Sequence, residues 1–346
     1  MEPGRLKVVV TCNDDLHRKP HLNPIERIGE AEVLDAAREV AEVTGGALLL
    51  VRDSIDDVLD ALRAARPDVV FNLCEGVLGN PRWEMNFALA LEMLGIPFTG
   101  CDPLAVALCT DKWRVKQLLL AAGLPTPGAR VIPSGPSTSL GAGFDGEESG
   151  WGRGLFTTNG PWIVKPSQED AGIGIDAAAV CETEAEVEAR VRYVVETYRQ
   201  PALVEEFIDG AEFNQAMYFA TDGPHILPPG EIVFDESLTP AERVVGWKAK
   251  WAFGSREDKA TRNRTPAVID DTLRGDIGVL CEAAASLLSL RGYCRFDLRQ
   301  SRTGQLWIVD INPNPDIGRG SGLRLALEAA GIAFPEFVNA LIDAAM

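Results

Sequence analysis

The strongest constraint on this chain lies in its first hundred residues. Short, mostly apolar runs at residues 6–10, 47–51, 68–73 and 96–99 alternate with helical patterns at 30–43, 55–64 and 83–94. Strands that are apolar on both faces need a sheet covered on both sides. Strand–helix alternation supplies that cover, because a connection between parallel strands must cross over and usually does so as a helix. Ser54 is placed to cap the second helix and Gly95 to end the third. The expectation is a four-stranded parallel sheet.

Beyond it the pattern changes. Residues 103–122 carry two helical segments, stopped by Gly123 with Pro125 and Pro127 behind it. Residues 134–160 hold eight glycines among many Ser and Thr, too little apolar surface to order themselves, and are expected to form a flexible surface insertion. Strand 162–166 and helix 184–198 behind Thr183 follow. Strands 202–208 and 212–219 are expected to form a hairpin at Asp209-Gly210, followed by strand 225–234. Helix 270–290, a hairpin of 293–299 with 305–311 around Thr303-Gly304, and helices 322–330 and 335–345 close the chain. At 346 residues this amounts to two domains or three small ones.

Composition removes several classes of function. A net charge of −18 disfavours nucleic acid and anionic membranes as partners. No apolar run approaches a membrane span, and residues 1–7 lack the apolar core of a signal peptide. The seven cysteines are scattered and never in C-x-x-C spacing, which points to buried thiols in a reducing cytoplasm. Three histidines, none near a Ser-containing elbow, argue against a histidine-based triad and a histidine-rich metal site.

Chemistry concentrates in residues 295–312. Arg295 and Asp297 lie two apart and so face one side of a strand, and Asp310 and Asn312 do the same on its partner. One hairpin face thus gathers an arginine, two carboxylates and an amide oxygen. Hard oxygen donors without sulfur or imidazole suit Mg²⁺. Neighbouring Phe296, Leu298, Ile308, Val309 and Ile311 mark the hairpin as buried, where unpaired charges are costly. Lys165 ends an apolar strand and is followed by Gly172 and Gly174, a lysine and a close-approach loop suited to phosphate, without the P-loop pattern. Glu205 and Glu206 end another strand, with Ile208 and Glu212 just beyond. Carboxylates and backbone carbonyls there can meet an adenine amine and ribose hydroxyls.

In this order these elements resemble the ATP-grasp superfamily, in its D-alanine–D-alanine ligase-like branch. Val70–Gly76 with Gly79 and Arg82, the Gly95-Ile-Pro97-Phe-Thr-Gly100 stretch, and Asp111-Lys112 with Lys116 and Pro125-Thr-Pro127 extend the likeness over roughly residues 7–330, apart from the glycine-rich insertion. The resemblance implies a mixed α/β and α+β fold. It has a Rossmann-like N-terminal domain (1–108), a small central lid domain (109–200, containing the insertion) and a C-terminal metal-binding domain (201–346). It implies ATP and two Mg²⁺, with Mn²⁺ as an alternative. Lys112 and Lys165 would hold phosphates beside Gly172 and Gly174. Glu205, Glu206 and Ile208 would line the adenine pocket, and Glu212 would take the ribose. Lys250 would reach the transferred phosphoryl group, Asp297, Asp310 and Asn312 would bind the metals, and Arg295 would stabilise the intermediate. The implied activity is a carboxylate–amine ligase for small amino-acid-like substrates working through an acyl phosphate. The alternatives are D-alanine–D-alanine ligase proper and a nucleotide-binding protein without catalysis. A homodimer is implied by the resemblance alone.

The amino-acid half departs from that family. Its first loop reads Thr11-Cys-Asn-Asp14-Asp15-Leu-His17, leaving Glu26 and Glu30 as candidates for an expected glutamate. Ala171 and Trp251 replace a serine and a tyrosine, which removes two hydroxyls and hydrogen bonds worth roughly 0.5–1.5 kcal/mol each. Glu75 replaces a histidine, and Gly322 after Ser321 breaks the pattern. Glu75, Arg82 and Ser321 are the candidate substrate contacts, with Asp316 beside them.

Overall fold

The computed structural model describes residues 6–14, 26–78, 80–134, 160–169, 172–252 and 254–346, with the backbone only for 26–32 and 251. The insertion therefore lies outside the described residues except at its two ends, as do Asp15 to His17, Gly79 and Ala171. The side chains of Glu26, Glu30 and Trp251 lie outside them too.

Strands β1 (Val8–Asn13), β2 (Ala47–Val51) and β3 (Val69–Leu73) form a parallel sheet in the order β2-β1-β3. Helices α1 (Glu26–Thr44), α2 (Ile55–Ala65) and α3 (Glu84–Met93) connect and cover it. Ser54 caps α2 by accepting the Asp57 N–H. The expected fourth strand is reduced to a single bridge, Val70 with Phe98. Pro97 explains this in part: it offers its carbonyl to Val70 but has no N–H to extend a ladder.

Helices α4 (Pro103–Thr110) and α5 (Lys112–Ala121) lead into a four-stranded antiparallel sheet of order β4-β7-β5-β6. Its strands are β4 (Ala129–Ile132), β5 (Trp162–Pro166), β6 (Val180–Cys181) and β7 (Ala202–Glu206). Helix α6 (Glu184–Tyr198) packs Val187, Val191 and Val194 onto it and starts from a capping box of Thr183 and Glu186.

The third sheet is antiparallel, in the order β11-β10-β8-β12-β13, with β9 on β8. Its strands are β8 (Gly210–Ala220), β9 (Gly223–Ile226), β10 (Gly230–Phe234), β11 (Thr261–Arg264), β12 (Tyr293–Ser301) and β13 (Leu306–Asn312). The hairpin expected at Asp209-Gly210 is not one: β7 and β8 belong to different sheets, and residues 207–209 pass between them. Gly210 is required there by crowding, since a Cβ would stand 1.9 Å from the Gln300 carbonyl oxygen. The single strand expected at 225–234 splits into β9 and β10, with Pro228 and Pro229 in the break.

Helices α7 (Trp247–Trp251) and α8 (Arg256–Ala260) precede β11, and α9 (Asp271–Leu287) covers one face of the third sheet with Ile277, Cys281 and Ala284. The chain closes with α10 (Gly322–Ala329) and α11 (Phe334–Ala345). Phe337, Val338 and Leu341 of α11 join Val8, Val10 and Phe71 of the first sheet and Tyr218 and Tyr293 of the third in one core. The first and last parts of the chain are thus fixed against each other. No single described helix is long and apolar enough to cross a membrane.

Candidate active site

Strand alternation sets the site. Along β12, Cys294, Phe296 and Leu298 enter the core beneath α9. Tyr293, Arg295, Asp297 and Arg299 therefore point the other way. Across the ladder, Arg295 stands opposite Asn312 and Asp297 opposite Asp310. On the other side Arg299 stands opposite Glu212, and Asp297 opposite Asn214. A bulge makes the arrangement work. The register slips by one between Asp297 and Leu298, so that Leu298 faces Ile308 and Val309 is the extra residue. Ile308 and Ile311 can then both be buried in the core, while Asp310 and Asn312 keep to the site face.

The four carboxylates of the site are already engaged. Asp297 takes a two-pronged bond from Arg295 at 2.8 and 3.0 Å. Asp310 receives both of its bonds from Lys112 Nζ, at 2.8 and 2.9 Å, which joins the start of α5 to β13. Burial works against the Asp310 carboxylate, but the ammonium groups of Lys112 and Lys165 outweigh it and hold the group at about 2. Glu205 is buried between two lysines, with Lys165 Nζ at 2.6 Å and Lys116 Nζ at 2.8 Å. Burial raises its pKa, and the two cations more than reverse this. Glu212 is held by Arg299 at 2.6 and 3.1 Å.

Lys116 is itself fixed by donating to Thr126 Oγ1 at 2.9 Å, which in turn donates to the Ile308 carbonyl at 2.8 Å. Burial depresses the Lys116 ammonium, with Glu205 opposing the shift. Lys250 feels burial and then the Arg295 guanidinium, both lowering its pKa against Asp297, Asp310 and Glu212. One carboxylate between two lysines leaves excess positive charge in an otherwise acidic protein, which suits a polyphosphate.

The glycine loop has a structural reason beyond approach to a ligand. Gly172 and Gly174 both have positive φ, at 77° and 75°. A Cβ on Gly172 would stand 2.9 Å from the Val245 carbonyl oxygen, and one on Gly246 would stand 2.1 Å from that of Ile175. The Gly172 carbonyl accepts the Trp247 N–H at 3.1 Å. The loop is therefore clasped backbone to backbone by the segment that carries Lys250. Glu206 ends β7 with its N–H bonded to the Gly128 carbonyl, and the Ile208 carbonyl is taken by Arg299.

The candidate substrate contacts are separated. Glu75 is exposed beside a narrow crevice of about 10 Å³, lined also by Leu73, Tyr293, Asn314, Asp316 and Ile317. Asn314 links the parts of the chain around this cleft: it accepts from Tyr293 Oη at 2.7 Å and donates to Glu84 and to the Cys74 carbonyl. Burial raises the Asp316 carboxyl, although the Gly318 N–H bonds to it and Arg295 opposes the shift. Arg82 is exposed on the turn before α3 and does not line this cleft. Ser321 caps α10, its hydroxyl oxygen accepting the Arg324 N–H at 3.2 Å. Sequence reasoning missed Arg299 altogether and gave Lys116 no role. The i, i+2, i+4 series Arg295, Asp297, Arg299 carried the signal for the first.

The donor set Asp297, Asp310 and Asn312 is hard oxygen throughout, and the register brings all three onto neighbouring positions. It fits a magnesium-type ion. It is not a cage of three acidic or imidazole ligands, and no such group occurs among the described residues.

Lysines of α5 and β5 thus stand against carboxylates of β7, in the second sheet, and β13, in the third, an arrangement of the ATP-grasp class. Residues 153–343 match the family described as D-ala D-ala ligase C-terminus. A D-alanine–D-alanine ligase of Stutzerimonas stutzeri is 30% identical over 318 residues, covering 89% of this chain and 90% of that one. An uncharacterized protein of Sinorhizobium fredii is 28% identical over 353 residues, covering 98% and 97%. The crystal structure of D-alanine–D-alanine ligase from Bacillus anthracis complexed with ATP has the same fold, with a TM-score of 0.69 at 17% identity over 98% and 97% of the chains. So does VanG D-Ala:D-Ser ligase from Enterococcus faecalis, with a TM-score of 0.71 at 16% identity over 99% and 100%. The chain belongs to the D-alanine–D-alanine ligase family.

Proposed function

We propose that this protein is an ATP-dependent carboxylate–amine ligase that joins small amino-acid-like substrates through an acyl phosphate. The observation that carries the reading is the Lys112–Asp310 bond together with the Lys165–Glu205 bond: two phosphate-binding candidates converge on carboxylates, one from α5 onto the third sheet and one within the second sheet. Making an amide from a carboxylate at neutral pH requires an oxygen to become a leaving group, and phosphoryl transfer from ATP does that. Lys112 and Lys165 exchange their carboxylate partners for phosphate oxygens. Glu205, released by Lys165, faces the base with Glu206 and Ile208, and Glu212 faces the ribose. Lys250 and Arg295 offset charge on the moving phosphoryl group and on the tetrahedral centre formed when the amine attacks. Asp297, Asp310 and Asn312 would hold divalent ions, two in this proposal and Mg²⁺ before Mn²⁺. Such ions neutralise phosphate charge and polarise the transferred group. Residues 109–200 serve as the mobile cover that keeps water from the acyl phosphate, between a domain of 1–108 and one of 201–346.

The amino-acid end supports a substrate pair that differs from two D-alanines. Glu75, Asp316 and Asn314 line the small cleft, and Arg295 acts through space on Asp316. Glu75 and Asp316 are the candidate contacts for an amino group, with Arg82 and Ser321 placed further out. A homodimer and a cytoplasmic setting belong to the same proposal, the latter supported by seven buried free cysteines. The test is ADP and phosphate release with MgATP across single and paired D- and L-amino acids, with mass spectrometry of the products. A dipeptide or other amide formed with ADP supports the reading, and D-alanyl-D-alanine as the main product would return the substrate assignment to D-alanine–D-alanine ligase proper. Nucleotide binding without stimulated turnover by any pair would favour the non-catalytic alternative.

A further inference from the structure

Arg299 is a buried arginine that binds no residue of the phosphate or metal set, yet its guanidinium gathers three acceptors from three separate segments. It is 5% exposed. Nε and Nη2 both donate to Glu212 Oε2 on β8, at 3.1 and 2.6 Å. Nη1 donates to the Ile208 carbonyl, in the stretch that passes between the two antiparallel sheets, at 2.9 Å. Nη2 also reaches the Arg243 carbonyl, on the stretch leading to the Lys250 helix. The planar group lies over Phe207 at 5.0 Å and near Phe234 at 5.8 Å. Both bonds to Glu212 use the same oxygen, so Oε1 is left out of the ion pair.

We propose that Arg299 is the positioning residue of the nucleotide pocket, fixing Glu212 with one oxygen presented to the ribose and tying the 207–209 stretch and the 243–251 segment into one unit. The proposal rests on the ATP reading above. One buried fork then sets both the base-and-ribose end of the pocket and the path of the segment that brings Lys250 to the phosphates. A lysine cannot replace it, because a single ammonium on a flexible stem does not reproduce a planar fork aimed at three acceptors. Glu212 lies opposite Arg299 in the ladder, so the pair is also fixed by strand register.

The test compares the wild-type chain with Arg299→Lys, Arg299→Met and, as a control, Arg302→Ala. Arg302 is exposed and pairs with Asp209, next to the same stretch. MgATP binding is measured by calorimetry, steady-state KM for ATP and for the amino-acid substrate separately, and hydrogen exchange over 243–252. Arg299→Lys retains the charge opposite Glu212 and is expected to fold. It should weaken MgATP binding roughly tenfold, raise the KM for ATP in parallel, leave the amino-acid KM within about twofold, and speed exchange over 243–252. Arg299→Met should do the same more strongly, and Arg302→Ala should do neither. Full MgATP affinity in Arg299→Lys, or an equal rise in both KM values, would overturn the proposal. A wild-type chain that does not bind MgATP would instead overturn the nucleotide reading on which it stands.

Discussion

The two ends of the site are built on different terms. At the proposed nucleotide end, five cations are held against carboxylates at bonding distance: Lys112 with Asp310, Lys116 and Lys165 with Glu205, Arg299 with Glu212, Arg295 with Asp297. At the proposed amino-acid end, Glu75 and Asp316 share a small cleft lined by no basic residue among the described residues. The first end has one more cation than carboxylates among these pairs, and in the proposed reading its lysines exchange partners when a polyphosphate enters. The second places two carboxyl groups together, with the Gly318 N–H bonded to Asp316. A reaction type can therefore be retained at one end while the partner molecule changes at the other.

The largest expected effect lies at the metal-facing carboxylates. Asp310→Ala should lower substrate-dependent ATP hydrolysis by roughly 10²–10³-fold or more, the scale of removing a group that stabilises developing charge, with circular dichroism unchanged. Persistent hydrolysis in a folded variant would break the comparison. Next is Glu205→Ala, which leaves two buried lysines without their shared partner and should cost about 3–5 kcal/mol of unfolding free energy, measured by chemical denaturation. A change below 1 kcal/mol would mean that the triad does not hold the second sheet to α5.

The same triad has a pH signature. Burial raises the Glu205 pKa, but Lys116 and Lys165 carry it below its ordinary 4.5. A depressed carboxylate contributes stability that is complete above its ordinary value and is lost as pH falls through the lowered one. Wild-type stability should therefore fall below about pH 4.5 more steeply than that of Glu205→Gln, as chemical denaturation across that range will show. Parallel slopes would remove Glu205 as the source. The smallest effects belong to the acidic cleft. Glu75→Gln and Asp316→Asn should each change the KM for an amino-acid substrate by roughly tenfold, about one charge-assisted hydrogen bond, while the KM for ATP stays within about twofold. A matching change in both would erase the distinction between the ends.

Much of this was legible in the sequence where local rules act alone. Ser54 and Thr183 cap the helices expected of them, and the 293–312 hairpin turns at Gly304 with φ of 89°. The strand period placed Arg295, Asp297, Asp310 and Asn312 on one face. It could not show the bulge at Val309, because a bulge is a property of two strands in register. Asp209-Gly210 read as a turn because local chemistry allows one, but the strands on either side pair with different partners. That choice is made by tertiary packing, here the close passage of Gly210 against Gln300. Lys116 and Arg299 escaped notice because an isolated Lys or Arg in a sequence is most often a solvated surface group. Only the fold shows that each has a buried carboxylate waiting.

The central claim is that a carboxylate oxygen leaves on phosphate. The most direct measurement supplies the first amino-acid substrate with ¹⁸O in its carboxylate, runs the reaction with MgATP, and reads the isotope in the released phosphate by mass spectrometry. One ¹⁸O per phosphate, with ADP as the other product, is the expected result. Unlabelled phosphate, or AMP with pyrophosphate, would contradict it.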